Sequence, residues 1–114
     1  MANPDEARLR HMLDAAREAV SFAAGHGRSD LDANRMLTLS LVKEIEILGE
    51  AASRVGAATR ATLPAIPWSQ IVRMRNRLIH AYFNVDLDIV WDVVSHDLPL
   101  LIVALEAALG PGKP

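Results

Sequence analysis

Leu41, Ile45, Leu48, Ala52 and Val55 recur at alternating steps of four and three residues, the spacing that lines one stripe of an α-helix packed against neighbouring helices. Leu9, Met12, Leu13, Ala16, Val20 and Ala23 repeat the pattern upstream. Leu87, Val90, Trp91, Val94 and Leu98, followed by Leu101, Ile102, Leu105 and Leu109, repeat it downstream. No stretch alternates with a period of two for long enough to make a sheet. The sequence therefore predicts an all-α, up-and-down bundle of four to five helices. A chain of 114 residues, 51% hydrophobic and 23% charged, can bury one core and is not disordered in composition. Residues 1–114 read as one helical domain, with a tail from about residue 110 that frays.

Asn3-Pro4-Asp5-Glu6 supplies a capping side chain, a proline suited to the first helical position and two acids at the positive end of the helix dipole. The first helix should run from there to about Ala24, where Gly25-His26-Gly27 stops it. Ser29-Asp30-Leu31-Asp32 has the form of a capping box with Asp in place of Glu. A long helix is expected from Arg35 to about Val55. Gly49 inside it costs roughly 1 kcal/mol relative to Ala, and such a glycine marks a close helix crossing. Residues 56–66 read as the main loop. Asn84 and Asp86 stop one helix and cap the next. Pro99 lacks a backbone donor and clashes one turn back, so a kink or a break should fall near Ser95 to Leu98.

The net charge of −2 is not that of a general nucleic-acid binder, so any contact with nucleic acid must be local. The absence of cysteine excludes disulfides, thiolate metal sites and cysteine nucleophiles. The longest apolar run, Leu98 to Leu105, contains Pro99 and is far shorter than the roughly 20 residues of a membrane span. With no secretory leader in view, the cytoplasm is the expected compartment.

The most informative stretch is the helix that Pro67 opens, expected to continue to about Phe83. With about 100° per residue, Trp68, Ile71, Val72, Leu78, Ile79 and Tyr82 gather on one side, and Arg75 lands among them. A guanidinium there is either tied to an acid or turned toward a ligand. Glu50 is the expected partner and Glu46 the other candidate. Glu44, Glu46 and Glu50 otherwise read as a solvated helix face. His80 lies roughly 7.5 Å further along the axis and about 140° round it, with Asn76 one turn before it. Ser95-His96-Asp97 is no triad, because consecutive helical residues diverge by about 100°. The four histidines show no metal-ligand spacing.

Arg75-Asn76-Arg77-Leu78-Ile79-His80-Ala81-Tyr82 resembles the R-x4-H-x-Y signature of HepT-like toxins, a branch of the HEPN superfamily of small all-helical ribonucleases. Leu48-Gly49-Glu50-Ala51-Ala52 resembles the family's Gly-Glu-Ala helix, Ile66-Pro67-Trp68 the start of its motif helix, and residues 86–99 its acidic-capped helix ending in Leu-Pro. RNA carries its own nucleophile, the 2′-hydroxyl, so a metal is not obligatory and no cofactor is expected. The protein must add a base, an acid and positive charge against the phosphorane. His80, of a residue type that titrates at about 6.5, can be base or acid. Arg75 can grip phosphate oxygens, and Asn76 can orient the imidazole or the 2′-hydroxyl. Arg73 and Arg77 serve the electrostatic approach of RNA. Two histidines at one phosphate would require a homodimer.

The resemblance implies that dimer, with the cleft at its interface and cleavage leaving a 2′,3′-cyclic phosphate. It also implies a toxin–antitoxin pair of the type VII kind. There a minimal nucleotidyltransferase of the MntA type attaches AMP to Tyr82, and the added anion would block the path of an RNA phosphate. The alternative is a non-catalytic HEPN module that binds a nucleotidyltransferase partner and its nucleotide or substrate.

Overall fold

The computed structural model describes residues 4–80 and 85–110, with the side chains of Ile79 and His80 outside that description. Helix is the only regular structure among the described residues. Helix α1 spans Pro4–Ala23, α2 Asp30–Ala33, α3 Arg35–Arg54, α4 Ala57–Thr62, α5 Trp68–His80, α6 Leu87–Asp92 and α7 Leu98–Leu109, with a π-helical turn, Val93–Asp97, joining α6 to α7. Counting residues 87–109 as one rod, four long rods make the bundle and two short helices lie in the connections. None is long and apolar enough to cross a membrane.

The periodic apolar positions form the core. Met12, Ala16, Leu41, Ile45, Leu48 and Ala52 are essentially inaccessible where α1 packs along α3, and Val90, Val94, Leu98 and Leu105 complete the core from the last rod. Each large aliphatic side chain buried this way contributes about 1.5–3 kcal/mol. Asn34 caps α3, its side chain accepting from the Leu37 N–H, and Asp86 caps α6, accepting from Asp88 and Ile89. Both follow the preference for a short acceptor side chain before the first helical residue.

Three local features differ from the sequence expectation. Ser29 makes no capping bond, because its own backbone is already helical; Asp30 accepts from the Gly27 N–H at 2.7 Å instead, and buried Leu31 anchors the short α2. The stretch 56–66 contains α4, which buries no residue and so leaves no apolar periodicity to read. It is held by polar contacts. Arg60 donates to the Val55 and Ala52 carbonyls at the end of α3, its guanidinium lies 5.6 Å from the Trp68 ring centre, and Asp5 accepts from Thr59 Oγ1 at 2.6 Å and from the Gly56 N–H at 3.2 Å. The Thr59 bond, then the Gly56 bond, holds the Asp5 carboxyl below its usual range.

The third difference concerns Glu44, which is not solvated. It is 6% exposed and faces Glu18 of α1, so burial first, and the neighbouring acid second, push its carboxyl up to about 7.

The disruption expected around Pro99 is a widening of the helix. A proline cannot donate to the Ser95 carbonyl; the Leu98 N–H instead reaches back five residues to the Val93 carbonyl, and the rod continues through a π-turn. Ser95 Oγ donates to the Trp91 carbonyl at 2.6 Å and lies 3.0 Å from His96 Nδ1; it is committed to the backbone of its own helix.

Candidate functional site

The site begins where α5 crosses α3. A Cβ placed on Gly49 would fall inside the Cβ and Cγ of Arg75, so the crossing exists only because position 49 has no side chain. Arg75 then runs along α3. Its Nη2 donates to Glu50 Oε1 and its Nη1 donates to Asn76 Oδ1 at 2.7 Å. Glu50 Oε2 in turn accepts from Arg54 Nε at 2.9 Å. That bond, with the positive charge of Arg75 and Arg54, keeps the Glu50 carboxyl ionised below its usual range.

The Arg75 side chain is 24% exposed, buried enough to be held and open enough to be reached. A guanidinium carries five N–H donors. Among the described residues two are engaged, which leaves the others for an anion.

Arg75 lines a cleft of about 660 Å³ between α1 and α3, whose other polar walls are Arg8, His11, Lys43, Glu46, Glu50 and Arg54. Glu46 is half-buried in that wall and makes no ion pair among the described residues. Arg77 points elsewhere. It borders a second cleft of about 430 Å³ between α5 and the last rod, walled mainly by Leu48, Ile71, Met74, Val93 and Leu101, with Asp97 at its edge. Arg73 and Asn76 are exposed.

His80 is the last residue of α5, which places its backbone about 7.5 Å along the axis from Arg75; its side chain, and the whole of Tyr82, lie outside the described residues. The structure thus brings Arg75, Asn76 and Glu50 together and separates Arg77 from them. Among the described residues no group of three or more His, Asp or Glu is arranged to hold a metal ion.

Sequence reasoning did not single out Arg8, His11, Lys43 or Arg54. Arg8 and His11 follow Pro4 and Ala7 along the edge of the α1 core stripe. That signal becomes readable once α3 is known to lie beside α1.

Residues 12–108 match the family model described as Ribonuclease HepT-like. "Probable ribonuclease HepT" of Thermococcus cleftensis is 36% identical over 72 residues, 63% of this chain and 66% of that protein. Proteins named "Putative RNase" are similar over more of their length: one from Methanocaldococcus jannaschii is 31% identical over 91 residues, 80% of this chain and 84% of its own, and one from Caldanaerobacter subterraneus is 31% identical over 93 residues, 82% and 83% respectively. No solved structure matches.

Proposed function

The chain belongs to the ribonuclease HepT-like family, and on that premise we propose that it is an endoribonuclease that cuts without a metal ion, through Arg75, Asn76 and His80. His80 takes the proton from a 2′-hydroxyl, whose oxygen attacks the adjacent phosphorus. The bond to the 5′-oxygen breaks, and that oxygen receives a proton from a second His80 supplied by another copy in a twofold dimer. The products are a 2′,3′-cyclic phosphate and a 5′-hydroxyl. Arg75 lays its unengaged N–H groups on the non-bridging oxygens as charge builds there. Asn76 has its carbonyl oxygen occupied by Arg75 and offers its amide N–H groups to the imidazole or the 2′-hydroxyl. Arg73 and Arg77 assist approach.

The activity is the toxin half of a toxin–antitoxin pair in the cytoplasm, silenced when a nucleotidyltransferase partner of the MntA type adds AMP to Tyr82.

The observation that carries this reading is the arginine itself: held by Glu50 and Asn76 in the wall of a cleft, five residues before a histidine, in a chain of a ribonuclease family. The test is cleavage of an RNA oligonucleotide in EDTA by protein made without its partner, followed by mass analysis of Tyr82 after co-expression with the nucleotidyltransferase. Cyclic-phosphate products lost in His80→Ala are expected. Cleavage that survives His80→Ala, or that requires an added divalent ion, defeats the mechanism.

A further inference from the structure

The cleft between α1 and α3 extends well beyond Arg75. Along α3 its wall runs from Lys43 to Arg54, about 16 Å of helix, far more than one phosphate group needs. Four cations line it against two carboxylates, and one of those carboxylates, Glu50, is already engaged by Arg54 and Arg75. Lys43 and His11 are exposed, and neither has an ion pair or hydrogen bond among the described residues. Arg8 is anchored, donating to Asp5 and to the Arg54 carbonyl, so it is presented in a fixed position. Ile47, 40% exposed, and Ala51 form an apolar floor between these walls.

We propose that this cleft carries the RNA strand that flanks the scissile phosphate, with Lys43, His11 and Arg8 contacting backbone phosphates and Ile47 lying under a sugar or base. The proposal rests on the ribonuclease reading, since Arg75 is the point at which strand path and reaction site meet. Cations around an aliphatic floor are suited to a polyanion with apolar faces. No Phe, Tyr or Trp is among the described residues that line the cleft, so the large stacking platforms of many single-strand binders are not part of it. Contacts to backbone phosphates position the strand and carry no sequence information of their own.

Binding can be measured without chemistry. The probe is a 2′-O-methyl single strand of about a dozen nucleotides, ample for the few nucleotides such a cleft spans, which cannot supply the attacking hydroxyl. Lys43→Ala combined with His11→Ala should weaken its binding about ten-fold at low salt and lower the slope of log affinity against log salt by about 0.7 to 1.4, the counterion release of one to two lost contacts to a single strand. Lys43→Arg should keep the parent slope. Arg35→Ala, which removes a charge from the exposed start of α3, should also keep it. On cleavable RNA the double variant should raise KM and leave kcat nearly unchanged.

An unaltered affinity and slope in the double variant overturns the proposal, as does an equal loss in Arg35→Ala, which would reduce the effect to net charge. Unaltered RNA affinity together with lost binding of a nucleotidyltransferase also overturns it, and assigns the cleft to a protein. A parent chain that binds the methylated strand through Lys43 yet cuts no RNA upholds the cleft and sinks the nuclease reading. Cutting that is indifferent to Lys43 does the reverse.

Discussion

Glu50 and Glu44 stand on the same helix, six residues and about 120° of rotation apart, and meet opposite surroundings. At Glu50 the neighbours are Arg54 and Arg75, the carboxylate is ionised below its usual range, and the side chain opens on a cleft. At Glu44 the neighbour is another acid, the residue is buried, and the carboxyl is pushed up to about 7. Near its C-terminal end α3 thus holds a cation beside an open cleft. Its middle tolerates a proton in the packing. A run of glutamates on a helix therefore has no single meaning: the element that crosses each one decides whether it works as an anion or as a neutral group.

The largest effect that could break this contrast is catalytic. Arg75→Ala and His80→Ala should each lower RNA cleavage by about 10²–10⁴-fold, the range for a lost charge stabiliser or proton-transfer group, in a cleavage assay run in EDTA. Glu44→Gln should leave the rate unchanged, and Arg77→Ala, on the far side of α5, should lower it less than about ten-fold through RNA approach alone. If Glu44→Gln or Arg77→Ala proves as damaging as Arg75→Ala, the α3–α5 crossing is not where the chemistry lies.

A smaller effect sharpens the Glu50 side. Gly49→Ala would gain roughly 1 kcal/mol of helix propensity, but the new methyl overlaps the root of the Arg75 side chain. That root cannot swing aside as a side-chain tip could, so α5 must move. The expected net outcome is a loss of about 1–2 kcal/mol by urea unfolding, with cleavage falling further than the stability loss explains because Arg75 no longer aligns with Glu50. A variant as stable and as active as the parent would show that the crossing does not position the arginine.

Much of this was legible in the chain itself. The seam Leu41, Ile45, Leu48, Ala52 and Val55 is buried throughout because burial on a helix has a period that sequence displays. Gly49 was legible as a crossing because glycine inside a helix is costly without a reason. The helix at residues 57–62 was not, since it is fastened by Arg60, Thr59 and Asp5 and has no apolar face. Polar fastening depends on partners far away in sequence and has no period. The same limit applies to Glu44 and to the cleft residues Arg8, His11 and Lys43, whose roles exist only once α1 lies along α3.

The smallest effect turns on proton binding, and its sign distinguishes the two acids. Glu50 and Asp5 have depressed carboxyls, so the stability they contribute is present above the unfolded-state values and is lost as pH falls through the folded ones. Glu44 acts in the other direction. Its folded value, about 7 against an ordinary 4.5, means that the folded chain holds a proton which the unfolded chain has released. Between those values the folded state binds more protons, and stability must fall as pH rises. Above about 7 the cost of a buried, ionised Glu44 beside Glu18 is complete. Glu44→Gln removes that cost and keeps the side-chain volume, so at pH 8 it should unfold at higher urea than the parent, by on the order of 1–2 kcal/mol, with the gain shrinking toward zero near pH 4.5. A gain that is constant with pH would mean that Glu44 is not protonated in the fold. A gain that grows toward acid would give it the sign of Glu50, and the two regions of α3 would then be alike.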